Sequence, residues 1–187
     1  IGGATGTGAI TGTCSNNGII YGIYSTASSP DIVNINNNTI GSITALGSST
    51  TVNVGITGIY LVQNSNTTIS GNIIGSSTTP NSINAATATT TGGQAVYGIW
   101  AAGNAVFTII NDTVANLTAA SVSSSSNIAG IRVDNIPGGN VTQNRVFNIT
   151  GSNTNTNNIA PGSVAGIACQ ANNPVVVTRN VINSIVN

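Results

Sequence analysis

Two short motifs recur five times along this chain and drift in step, which leaves few folds open to it. The first is an aliphatic residue, any residue, Gly, then Ile, at residues 20–23, 56–59, 96–99, 128–131 and 164–167. Its glycines, Gly22, Gly58, Gly98, Gly130 and Gly166, lie 36, 40, 32 and 36 residues apart. The second is aliphatic-x-x-Asn-x-aliphatic, built on Asn38, Asn72, Asp112, Asn144 and Asn180, with spacings of 34, 40, 32 and 36. A period of this length, rich in β-branched residues and without helical recurrence of apolar positions, predicts a stack of β-coils. Each coil buries its apolar columns against its neighbours. The coils are expected at 1–39, 40–73, 74–113, 114–145 and 146–181, with a further coil beginning at 182–187, all in one domain.

Each column has a physical reason. Stacked Ile and Val suit a packed, pleated interior. The glycine sits between two apolar positions three apart, so alternation slips there and a bend or bulge is expected. The Asn column is expected to form a ladder in which each amide bonds the next coil, with Asn also accepting a left-handed corner conformation. The Ser/Thr/Asn/Gly tracts at 47–54, 76–94 and 121–127 are expected to form an irregular third side with loops of varying length. A substitution of Gly98 by Val is expected to strain the coil.

This pattern resembles the right-handed parallel β-helix shared by pectin-degrading enzymes, phage tailspikes and NosD-like repeat proteins. It also resembles Asn/Thr-rich solenoid stretches of large bacterial surface proteins and adhesins. The five Gly-Ile motifs and the Asn38–Asn180 column carry the resemblance, which spans essentially the whole chain. It implies the fold and its right-handed coiling. It implies no single function, because this superfold hosts both enzymes and scaffolds.

Charge narrows the function classes. Only 3% of the 187 residues are charged and the net charge is zero. The inventory is Arg132, Arg145, Arg179, Asp31, Asp112 and Asp134, with no Lys, Glu, His or Met. No field exists to attract nucleic acid, and no apolar run is long enough for a membrane span. Glycoside hydrolysis needs two carboxylates flanking one bond, and general acid–base chemistry lacks candidates here. Asp31 follows Pro30, Asp112 replaces Asn in the ladder as an acceptor, and Asp134 is expected to point outward. No catalytic residue, metal site or cofactor is expected.

One outward column has character. Tyr24, Tyr60, Trp100, Arg132 and Ala168 each lie two residues past a motif glycine. Such a row can stiffen one face by stacking on itself, with a cation–π step from Trp100 to Arg132, or bind carbohydrate or protein. A regular Thr column of the kind an ice-binding face needs is not evident. Sequons occur at Asn37, Asn66, Asn111, Asn116, Asn140 and Asn148. Cys14 and Cys169 fall about four coils apart, about 19 Å at the β spacing, too far for an intrachain bridge; a bond between stacked subunits is the alternative.

Ile1 and Ile182 share one phase, so the chain covers five periods without a capping helix or charged end strand. Beginning at Ile rather than Met, it reads as an internal piece or a processed form. A window of a longer solenoid, with flanking coils as partners, or copies associating head to tail is expected. The composition points to an extracellular or cell-surface fibre subunit or adhesin stalk, with a carbohydrate-binding or carbohydrate-cleaving module as the alternative.

Overall fold

The computed structural model describes residues 1–3, 5–29, 31–134, 137–154 and 163–187, with only the backbone at Gln63. The described chain is a parallel β-solenoid of three sheets and about five turns, with no helix. Each turn runs through the same three faces in the same order. The first face holds Gly18–Ser25, Val54–Gln63, Gln94–Gly103, Asn127–Asp134 and Val164–Gln170. The second holds Val33–Asn36, Thr67–Ser70, Phe107–Ile110, Gly139–Thr142 and Val175–Thr178. The third opens with Ile10–Cys14 and continues through Ile43–Gly47, Ile83–Ala85, Thr113–Ala119, Arg145–Gly151 and Val181–Val186. Short strands Thr39–Ile40 and Ile73–Ile74 complete its second and third rungs.

Every pairing is parallel, and the registers line up like residues coil after coil. Ile23, Ile59, Ile99, Ile131 and Ile167 stack on the inner side of the first face. Ile35, Ile69, Ile109, Val141 and Val177 do so on the second. Ile40, Ile74, Val114, Val146 and Ile182 line the third. These rows form one continuous apolar core, fully buried in the middle coils. Burying each such side chain contributes about 1.5–3 kcal/mol, and this is the main force holding the coils together.

Three expectations from the sequence need correction. First, the third side is not irregular. It is the sheet with most strands, and one of them, Ile83–Ala85, lies inside the 76–94 tract. The excursion between Ile73–Ile74 and Ile83–Ala85 pushes the chain off the repeat, yet Leu117 still pairs with Ile83 and Val114 with Ile74. Restored register also reveals a row the sequence conceals: Thr11, Thr44, Asn84, Thr118 and Thr150. Its hydroxyls are partly engaged locally, Thr11 donating to the Gly8 carbonyl at 3.1 Å and Thr118 to Asn81 at 2.7 Å.

Second, the left-handed corner falls one residue before the ladder. Asn37, Gly71, Asn111, Gln143 and Arg179 have φ of 56, 67, 59, 58 and 56°. The ladder residue itself needs no such conformation, because its work is done by its side chain.

Third, the motif glycines are required by room rather than by φ, since none of the five has a positive φ. Pairing does skip them, running from Tyr97↔Ala129 directly to Ile99↔Ile131, as the slip in alternation demands. A Cβ on Gly98, however, would lie 2.6 Å from the stacked Gly130 carbonyl oxygen and closer still to the inward Val114 side chain. The same double conflict recurs at Gly22, Gly58 and Gly130, whereas at Gly166 the conflict is with the Ile182 side chain alone.

Candidate functional site

Two side-chain arrays stand out: an interior ladder and an outer strip. The ladder runs along the corner between second and third faces. Asn38, Asn72 and Asn144 each donate their backbone N–H and their Nδ2 to the side-chain Oδ1 of the next coil, at 2.7–3.0 Å. Nδ2 groups also reach back to main-chain carbonyls of the preceding coil: Asn72 to Ile35, Asn144 to Ile109, and Asn180 to Val141, at 2.8–3.0 Å. At Asn72 and Asn144 the ladder therefore joins three consecutive coils.

Asp112 occupies one rung with the wrong chemistry. Its Oδ1 accepts both donors of Asn72, at 2.7 and 2.8 Å, and its N–H donates to Asn144 at 2.9 Å. Its Oδ2 is buried without a partner among the described residues. By register this oxygen holds the place of an amide Nδ2, whose targets are the Ile69 carbonyl and Asn144 Oδ1. Both are acceptors. Burial, opposed by the Asn72 donors, pushes the Asp112 pKa up from 3.8 to about 6.

The strip lies on the outer side of the first face. Tyr24, Tyr60, Trp100, Arg132 and Ala168 form one row in register. Tyr21, Thr57, Tyr97, Ala129 and Ala165 form the row beside it. Tyr21, Tyr24 and Tyr60 are mutually offset-stacked, with centroids 5.2–5.5 Å apart and planes within 27°. Trp100 follows at 4.5 Å from Tyr60, and the Arg132 guanidinium lies 4.7 Å from the Trp100 ring and 5.1 Å from that of Tyr97. Interior rings thus have neighbours on both sides. The most open rings are at the first coil, where Tyr24 is 55% exposed.

The far end of the strip is polar and closed. Arg132 Nε donates to Asp134 Oδ2 at 2.6 Å, and Trp100 Nε1 donates to the same oxygen at 3.0 Å. Arg132 also donates to the Tyr97 hydroxyl at 2.5 Å, which in turn donates to Asn127. Burial raises the Tyr97 pKa, with Arg132 opposing, so the phenol stays a donor. Asp134 lies on the outer side but is covered, at 6% exposure, rather than solvated. The sequence signals for Tyr97 and Asp134 were their phases: Tyr97 repeats the place of Tyr21, and Asp134 is two past Arg132, on the same side of the strand.

The remaining candidates do not converge. Asp31 belongs to a loop, Asp112 to the interior and Asp134 to the strip. Among the described residues no three His, Cys, Asp or Glu side chains gather as metal ligands. Cys14 on the third face and Cys169 on the first are free thiols. Asn116 is closed to modification, being 6% exposed with its Nδ2 on the Ser76 carbonyl at 2.7 Å, whereas Asn37, Asn66, Asn111, Asn140 and Asn148 are exposed. No described helix is long and apolar enough to cross a membrane. No protein-family model, curated protein or solved structure matches the chain.

Proposed function

We propose that this chain is a structural, non-catalytic solenoid serving as an extracellular fibre subunit or adhesin stalk, and that its copies stack head to tail. The observation that carries this reading is the unbroken axial lattice: from Asn38 to Asn144 each ladder residue donates its N–H to the side-chain Oδ1 one coil on, in step with the stacked apolar rows. A lattice that repeats the same bonds at every coil can be extended by a further copy through those bonds, and a heterologous end-to-end contact of that kind grows a filament.

The strip supports rigidity better than a lateral sugar platform, because its interior ring faces are turned on one another. Cleavage of carbohydrate finds no support either, since the three carboxylates lie in separate places. Electron microscopy of the purified chain at rising concentration tests the proposal. Filaments with a subunit repeat of about 24 Å, five coils at the β spacing, are expected. Discrete short rods at every concentration reject it.

A further inference from the structure

A groove beside the strip supports an inference that does not depend on stacking. Just after the corner leading into the first face, the outward positions in register are Ile19, Gly55, Ala95 and Asn127. Two larger side chains thus flank two small ones. The result is a depression of about 300 Å³ over the second and third coils, large enough for one or two rings of a small ligand. Gly55 and Ala95 form its floor, and Asn17, Asn53 and Ser125 stand along its wall.

The wall is oriented by the fold. Asn17 Oδ1 accepts the Asn53 N–H at 3.2 Å, and Asn53 Oδ1 accepts the Gly93 N–H at 2.5 Å. Each amide is thereby held by its oxygen, leaving its Nδ2 as a free donor one coil from the next. Ser125 adds a hydroxyl that both donates and accepts. None of the chain's six charged residues lines the depression, so a charged ligand would lose its hydration without a counter-charge. A ligand that fits must be neutral, must carry an apolar face for the Ile19–Gly55–Ala95 floor, and must offer oxygen acceptors at regular intervals. A saccharide has this chemistry.

We propose that the groove binds a neutral saccharide. The test is a titration of the whole ¹⁵N-labelled chain, followed by amide NMR, at a concentration where it is monomeric. The probes are neutral oligomers of glucose, mannose, galactose and N-acetylglucosamine, with a galacturonate oligomer as the charged counterpart. A neutral oligomer is expected to shift the side-chain amides of Asn17 and Asn53 and the backbone amides of Gly55 and Ala95, saturating in the millimolar range. Ala95→Leu fills the floor and is expected to weaken binding about tenfold or more, whereas Tyr24→Ala leaves it unchanged. Should Ala95→Leu fail to fold, Asn17→Ala and Ser125→Ala decide through a loss of a few-fold each. The proposal is overturned by the absence of shifts at these amides with every neutral oligomer. It is equally overturned by preferential binding of galacturonate, by full affinity in a folded Ala95→Leu protein, or by shifts confined to the Tyr24 row.

Discussion

Replacing Asp112 with Asn is expected to stabilise the solenoid at neutral pH and to remove most of its pH dependence between pH 4 and 7. The reasoning starts from Oδ2, which is buried where the neighbouring rungs place a donor. An ionised carboxylate there faces two acceptors, so the folded protein favours the protonated acid, and the pKa rises from 3.8 to about 6. That difference corresponds to about 3 kcal/mol. The sign follows from proton counting: between these pH values the folded state binds more protons than the unfolded chain. The contribution is fully present below about pH 4 and is lost as pH rises through 6. An amide supplies the missing donor at every pH. At pH 7 the Asp112→Asn protein should therefore be more stable by up to about 3 kcal/mol, or about 6–12 °C in Tm for a domain of this size. At pH 4 the two proteins should converge. Urea unfolding of both across pH 3.5–7.5 measures the difference directly. Equal stability at pH 7, or a wild-type protein that gains stability from pH 4 to 6, would refute the assignment of Oδ2 to the donor's place.

Two further substitutions probe the columns around it. Gly98→Val sets a side chain against the Gly130 carbonyl and Val114 and should cost about 2–4 kcal/mol in thermal unfolding; adding Val114→Ala should recover only part, since the carbonyl remains. A melt indistinguishable from wild type would show that the coil has room the structure does not show. Arg132→Ala leaves the covered Asp134 carboxylate without its ion-pair partner and should cost about 3–5 kcal/mol, while Arg132→Ala with Asp134→Asn should cost less than Arg132→Ala alone. A loss within about 0.5 kcal/mol for the single change would mean that solvent reaches the pair.

What the sequence disclosed and what it hid divide along one physical line. The inward rows of Ile and Val beside the motif glycines and the ladder were legible because packing keeps them aliphatic, so their spacing survives even where repeat lengths drift by eight residues between coils. The corner residues were not legible, because left-handed backbone admits Asn, Gly, Gln and Arg alike, and Asn37, Gly71, Asn111, Gln143 and Arg179 share no side chain to recognise. Outward rows were hidden for another reason. Which residues lie beside one another depends on register across the glycine slip and the 75–82 excursion, and nothing apolar marks that register from outside. The partners of Tyr97 and Asp134 and the Thr11–Thr150 row emerge only after the inner columns are aligned.

The same asymmetry bears on where function resides. Stability here comes from columns that any coil of this lattice must repeat, so those columns say how the rod is built and not what it meets. The features particular to this chain break the repeat. Gly55 and Ala95 open a hollow where other coils carry larger side chains, and the strip changes from tyrosine to a closed Arg–Asp pair over four coils. A rod selected only for stiffness would gain from uniform rows, since identical side chains stack best on one another. The graded outer surface of the first face is therefore where recognition is to be sought, and the groove, whose amides are held by their oxygens and present their Nδ2 groups outward, is its most specific part.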